Sequence, residues 1–177
     1  MKLLKTIFSV LIVLIVVVVV IGLFLPTNYN IERSITIDAA PAEIHKYVGN
    51  LSNWNKWEPW RQADPSIVIT PGEKTSGIGA SQSWTGDSGD GALTFIKDSQ
   101  TKGVEYDLVF DGGAYVSKSA ITYDPLEDGE TNVTWTMTGD MDAPVIGGYF
   151  VLMMDSMVGQ MFEKGLENLK STVEQQS

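Results

Sequence analysis

The stretch ITIDAAPAEIHKYVGNLSNWNKWEPW, residues 35–60, decides how this chain folds. Leading into it, Ile31, Arg33, Ile35 and Ile37 alternate with Glu32, Ser34 and Thr36, the period-2 pattern of a strand buried on one face. Asp38 is placed to cap a helix that Pro41 opens, with Glu43 near its positive end. On that helix Ile44, Tyr47, Val48 and Leu51 share one face, while His45 and Lys46 fall on the solvated side. Three of the five tryptophans follow, Trp54 and Trp57 in a short irregular helix and Trp60 just beyond it. Pro59 ends that helix near Glu58 and leaves Trp60 in a loop.

Downstream the pattern changes to consecutive strands at 67–70, 80–85, 92–98, 104–110, 115–123 and 132–141, with turn signals between them. In one of them Val104, Tyr106, Leu108 and Phe110 alternate with Glu105, Asp107 and Val109. Connections this short join antiparallel neighbours, because parallel strands need crossovers of roughly a dozen residues or more. The loop GDSGDG (86–91) reads as a tight hairpin: it lacks the calcium-loop pattern and the lysine of a phosphate loop. Over 148–173 the apolar residues Phe150, Met153, Met154, Met157, Val158, Met161, Phe162, Leu166 and Leu169 recur at helical spacing. The economical arrangement is α+β: a seven-stranded antiparallel sheet curved around a long C-terminal helix that covers its apolar face.

Ahead of this body lies an apolar run over 7–25, broken only by Ser9 and Gly22. At 1.5 Å per residue it matches the ~30 Å hydrocarbon core of a bilayer. Lys2 and Lys5 precede it and Arg33 is the first basic residue after it, which favours a cytoplasmic N-terminus and an outer body. A cleaved signal peptide has a shorter apolar region and small residues at its end; here the run closes on Leu23, Phe24, Leu25 and Pro26. The expectation is a retained single-pass signal anchor, residues 1–27, in the inner (cytoplasmic) membrane. It carries an extracytoplasmic domain, residues 28–177, which is periplasmic if the cell is Gram-negative. The absence of cysteine leaves neither a disulfide framework nor a lipidated thiol. All 22 carboxylates but only ten of the twelve Lys and Arg lie in the body, so its formal charge of −12 argues against a nucleic-acid partner.

The order of elements resembles the START-like superfamily, also called the helix-grip or polyketide cyclase/dehydrase-like (SRPBCC) group, in its membrane-anchored bacterial form. The resemblance rests on residues 35–60, on GIGASQSWTGD (77–87), GDGALTFIKD (89–98) and TNVTWTMTGD (131–140), and on MFEKGLENLK (161–170) in the last helix. It implies a helix-grip fold with a cavity between sheet and long helix. Members bind lipids, sterols, polyketides or plant hormones, and some are cyclases, so function has to be read from the site itself.

Candidate cavity-lining residues are Trp54, Trp57, Trp60, Arg61, Trp84, Phe95, Tyr106, Leu108 and Trp135, with Met153, Met154, Met157 and Met161 from the helix. Each has a plainer reading. Tryptophans at helical spacing usually pack cores, methionines fill awkward gaps as readily as they adapt to varied ligands, and Arg61 can pair with Glu58. One histidine, no cysteine and no clustered ligand spacing argue against metal, thiol or triad chemistry, and no cofactor is expected. The leading expectation is a tethered, non-catalytic domain holding a small hydrophobic or amphipathic ligand. Two rivals remain: a cyclase- or hydrolase-like enzyme using Tyr106, Arg61 or a pocket carboxylate, and a filled-core module docking a membrane-protein partner.

Overall fold

The computed structural model describes residues 2–175, so Met1, Gln176 and Ser177, at the outer ends of the two expected segments, lie outside it. Helix α1 (Lys2–Phe24) leads into β1 (Asn28–Ile37), α2 (Pro41–Val48), a 3₁₀ segment (Leu51–Lys56) and the one-turn helix α3 (Trp60–Ala63). Six strands follow: β2 (Val68–Pro71), β3 (Ser81–Thr85), β4 (Gly91–Ser99), β5 (Gly103–Phe110), β6 (Tyr115–Pro125) and β7 (Thr131–Asp140). Helix α4 (Gly147–Glu174) closes the fold. All seven strands join one antiparallel sheet in the order β1-β7-β6-β5-β4-β3-β2. This is the α+β helix-grip arrangement, a curved sheet with a long C-terminal helix.

Alternation sets the two faces. On β7, Val133, Trp135 and Met137 are buried beneath the helix while Thr134, Thr136 and Thr138 look outward. Ile31 and Ile37 do the same on β1, and Arg33 points to the same inner side. There it meets α4: its guanidinium pairs with Asp155 at 2.9 Å and Glu163 at 2.5 Å and lies across Gly159, where a Cβ would push the guanidinium aside. An inward cation on an edge strand thus clamps the helix to the sheet. Two turns on, Gly165 lets the helix press against Trp135 and Pro59, since a Cβ there lies 2.7 Å from the indole.

The two halves of α4 differ. Phe162, Leu166, Leu169 and Val173 are buried in the core, whereas Phe150, Leu152, Met153 and Met157 are exposed. The packed core therefore sits under the second half of the helix, with α2 and the 3₁₀ segment closing that end through Ile44, Val48, Leu51, Trp54 and Trp57.

Three local expectations need correction. Asp38 does not cap α2; Ala40 occupies the cap position and makes no side-chain bond, because Asp38 stands two residues too early. Trp60 is not in a loop but opens α3, whose first backbone N–H groups, of Trp60 and Arg61, donate to the Glu58 carboxylate at 2.8 and 3.3 Å. His45 is not solvated. Its Nε2 lies 2.9 Å from Asp98 Oδ1 and its Nδ1 3.3 Å from the Tyr123 hydroxyl, because the short α2 rests on the sheet and turns this side toward β4 and β6. Burial lowers the imidazole pKa, with the Asp98 charge and hydrogen bond opposing.

Candidate functional site

Between the first half of α4 and the inner face of β3–β7 lies a cavity of about 410 Å³, within the usual size of a small-molecule site. This hollow is open in part to solvent and lies beside the packed core under the second half of α4.

Its wall is mostly aromatic and aliphatic. The sheet contributes Trp84, Leu93, Tyr106, Leu108, Phe110, Trp135 and Met137; α4 contributes Met154, Val158 and Phe162; Trp54, Trp60 and Tyr29 close the ends. The rings brace one another. Phe162 stacks on Trp135 with centroids 4.2 Å apart and planes 6° from parallel, and Trp60 meets both edge-on at 6.4 Å. Trp84 lies over Gly91 on the neighbouring strand, where any Cβ would stand 2.3 Å from the indole, and it meets Phe110 at 5.8 Å.

Polar groups on this wall are few and grouped. Trp135 Nε1–H donates to the Tyr106 hydroxyl at 2.9 Å and to Ser119 Oγ at 3.2 Å, and Ser119 donates to the Thr136 carbonyl at 2.6 Å. Burial pushes the Tyr106 phenol up to about 12, the Ser119 and Trp135 hydrogen bonds opposing, so it is a neutral hydroxyl at physiological pH. The Tyr29 hydroxyl bonds Ser117 at 2.6 Å. Glu58, only 5% exposed, is occupied by Arg61 Nε at 2.6 Å and by the two α3 backbone donors.

Loops form the rim. Ser88, Gly89 and Asp90 come from the β3–β4 connection and Asp111 from the β5–β6 connection. The first of these is tied down by Asp64, whose carboxylate accepts from the Ser66 hydroxyl and backbone and from the Ser88 backbone. Those hydrogen bonds hold the Asp64 carboxyl well below the usual range.

Of the residues singled out in the sequence, Trp54, Trp60, Trp84, Tyr106, Leu108, Trp135 and Met154 stand on this wall. The others do not. Trp57 is fully buried between Trp54 and Trp135, its N–H bonded to the Tyr47 carbonyl, and Phe95 is wedged against Trp54 and Tyr106. Arg61, with Leu51, Trp54 and Gln82, lines a separate cleft of about 150 Å³. Met153 and Met157 face outward, and Met161 is half-buried but off the wall, because methionines three and four apart spread over more than one face of the helix. Val158, Phe162, Met137 and Ser119 belong to the wall although the sequence reading passed them over. Two were legible: Val158 and Phe162 follow Met154 at intervals of four on one helical face. Among the described residues no group of three or more His, Cys, Asp or Glu is arranged to hold a metal ion.

The family of polyketide cyclases/dehydrases and lipid transport proteins matches residues 29–174 through its sequence model, and the chain belongs to that family. No curated protein matches the sequence. Solved structures share the fold at low identity. A protein of Thermobifida fusca is 18% identical, with a TM-score of 0.64 over 82% of this chain and 93% of its own. One of Chromobacterium violaceum is 16% identical, with a TM-score of 0.61 over 82% and 98%. Norcoclaurine synthase of Thalictrum flavum, a point mutant bound to a transition-state analogue, is 11% identical, with a TM-score of 0.62 over 86% and 98%.

Proposed function

We propose that this member of the polyketide cyclase/dehydrase and lipid transport family is a membrane-tethered binding domain that holds one small hydrophobic or amphipathic molecule between its sheet and α4. The cavity carries the reading: about 410 Å³ of space walled by rings, with one buried cluster of hydroxyls to orient a polar end. Rings already braced against one another lose little freedom when an occupant enters. The tether is α1. Its apolar span, Leu4–Phe24, has a mean hydropathy of 3.5 with only 6% of that window buried, so the surface that needs covering suits lipid rather than protein. Lys2 and Lys5 favour a cytoplasmic N-terminus, with the domain outside.

Norcoclaurine synthase shares the fold, so the scaffold does not exclude chemistry. The ionisable groups here do not favour it. Tyr106 is a neutral phenol far from its titration range, and Glu58 is engaged by three donors.

The test is mass spectrometry of apolar molecules co-purifying with the full chain, beside a Val158→Trp variant that fills the cavity from the helix side. A near-stoichiometric molecule lost in the variant is the expected result. Equal, non-stoichiometric lipid in both samples would contradict the proposal.

A further inference from the structure

Residues 143–154, APVIGGYFVLMM, contain no charged side chain, in a body that carries 22 carboxylates. They form the entry to α4 and its first two turns. Within and just beyond them Ile146, Phe150, Met153 and Met157 are 55, 50, 50 and 62% exposed, and their spacing of four, three and four puts them on one face of the helix. Leu152, 63% exposed, lies one turn beyond Gly148 on a second face. A run of large apolar side chains along one helix, left in water, is a surface awaiting a partner.

What lies beside it identifies the partner. The start of α4 packs directly on the end of α1. A Cβ on Gly22 would meet the Val145 carbonyl and the Tyr149 ring, and one on Gly148 would meet Leu25. The Tyr149 hydroxyl donates to the Val18 carbonyl at 2.7 Å. Val18 is six residues before the end of α1, about 9 Å along its axis. The apolar span of α1 is 21 residues, about the full thickness of a hydrocarbon core, so its outer end cannot be withdrawn from lipid without drawing Lys5 at the other end into it. The first turn of α4 is therefore held at the depth of the last turns of the span. If α4 rose straight away from the bilayer, Phe150, Met153 and Met157 would stand in water; lying along the surface, it buries all of them.

We infer that the first three turns of α4 lie in the surface of the bilayer that α1 spans, with the Ile146–Phe150–Met153–Met157 stripe in contact with lipid. The inference rests on reading α1 as a membrane span. Met154 and Val158, each one residue after a stripe position, line the cavity, so the helix presents lipid on one face and the binding site on the next. Contact is apolar rather than electrostatic, because a body of formal charge −12 is repelled by anionic headgroups. It needs no acidic lipid and survives high salt.

The chain has no cysteine, so each single-cysteine variant carries one label. Phe150→Cys, Met153→Cys and Met157→Cys, all at exposed positions, are labelled with a polarity-sensitive fluorophore in the full chain and reconstituted into phosphatidylcholine vesicles. Val13→Cys in the span and Leu126→Cys, 45% exposed between β6 and β7 at the end of the sheet away from α1, serve as references. The expected result is that the three stripe labels, like Val13, lose most of their emission to doxyl-labelled lipid and little to aqueous iodide, at low and high salt alike, with the reverse for Leu126. Stripe labels quenched by iodide while Val13 is quenched by lipid would overturn this inference and leave the span standing. Shielding of the stripe from both quenchers would overturn it in favour of a protein cover. A Val13 label that lipid does not reach would remove the span itself, and the inference with it.

Discussion

Phe162 of α4 lies flat on Trp135 of β7, their ring centroids 4.2 Å apart and their planes within 6°. This contact stands where the packed half of the helix meets the hollow half. Both rings line the cavity, and both are also buried, at 2 and 1% exposure. Phe162→Ala is expected to cost about 3–5 kcal/mol, the usual range for a buried ring, because the stiff sheet on one side cannot collapse into the gap. Urea denaturation followed by tryptophan emission measures it; a loss below about 1 kcal/mol would mean that the stack carries little of the fold.

Gly159 and Gly165 of α4 give different expectations. Alanine gains about 1 kcal/mol over glycine in a free helix. At Gly165 the new methyl meets the Trp135 ring at 2.7 Å and Pro59 at 3.2 Å, and neither can move. Gly165→Ala is therefore expected to destabilise by about 1–3 kcal/mol. At Gly159 the obstacle is the far end of the Arg33 side chain, which can swing aside, so Gly159→Ala is expected to be near neutral. Equal effects at the two sites in parallel denaturation curves would refute the packing argument.

His45, the one histidine of the chain, supplies a pH dependence. Burial lowers its folded-state pKa below 6.5, so the unfolded chain takes up its proton more readily. Its contribution to stability is whole above pH 6.5 and falls as the pH drops through that value toward the folded pKa. Denaturation midpoints at pH 7.5 and 5.5 should differ in the wild type and differ less in His45→Gln. An unchanged difference would assign the effect to other groups.

Tyr106→Phe removes the hydroxyl that accepts from Trp135 but leaves Ser119 as the second acceptor. The expected loss of stability is about 1 kcal/mol. Binding separates the roles: displacement of a cavity-bound dye by a long-chain alcohol should weaken, while displacement by the matching alkane should not. Identical weakening for both would show that the hydroxyl orients nothing.

Much of the architecture was legible in one dimension. The alternation around Val104–Phe110 and the three-four spacing over 148–173 gave sheet and helix, because burial on one face imposes a period that depends only on local backbone geometry. Seven of the thirteen candidate lining residues stand on the cavity wall for the same reason: they are large, apolar and on the inner face. The misplacements have a common cause. Trp57 and Phe95 also face inward, but whether an inward ring touches another ring or a void is a matter of packing between elements far apart in sequence. His45 reads as polar and solvated along its helix, yet Asp98 and Tyr123, 53 and 78 positions away, enclose it.

Composition and periodicity, acting over a few residues, laid down the apolar span, the acidic body, the seven strands and the long helix. The hollow, the hydroxyl cluster at Trp135, the Arg33 clamp and the contact between the span and α4 arise only where distant segments meet. Distance and orientation across the fold, rather than residue type, decide whether two side chains fill a space or leave it open.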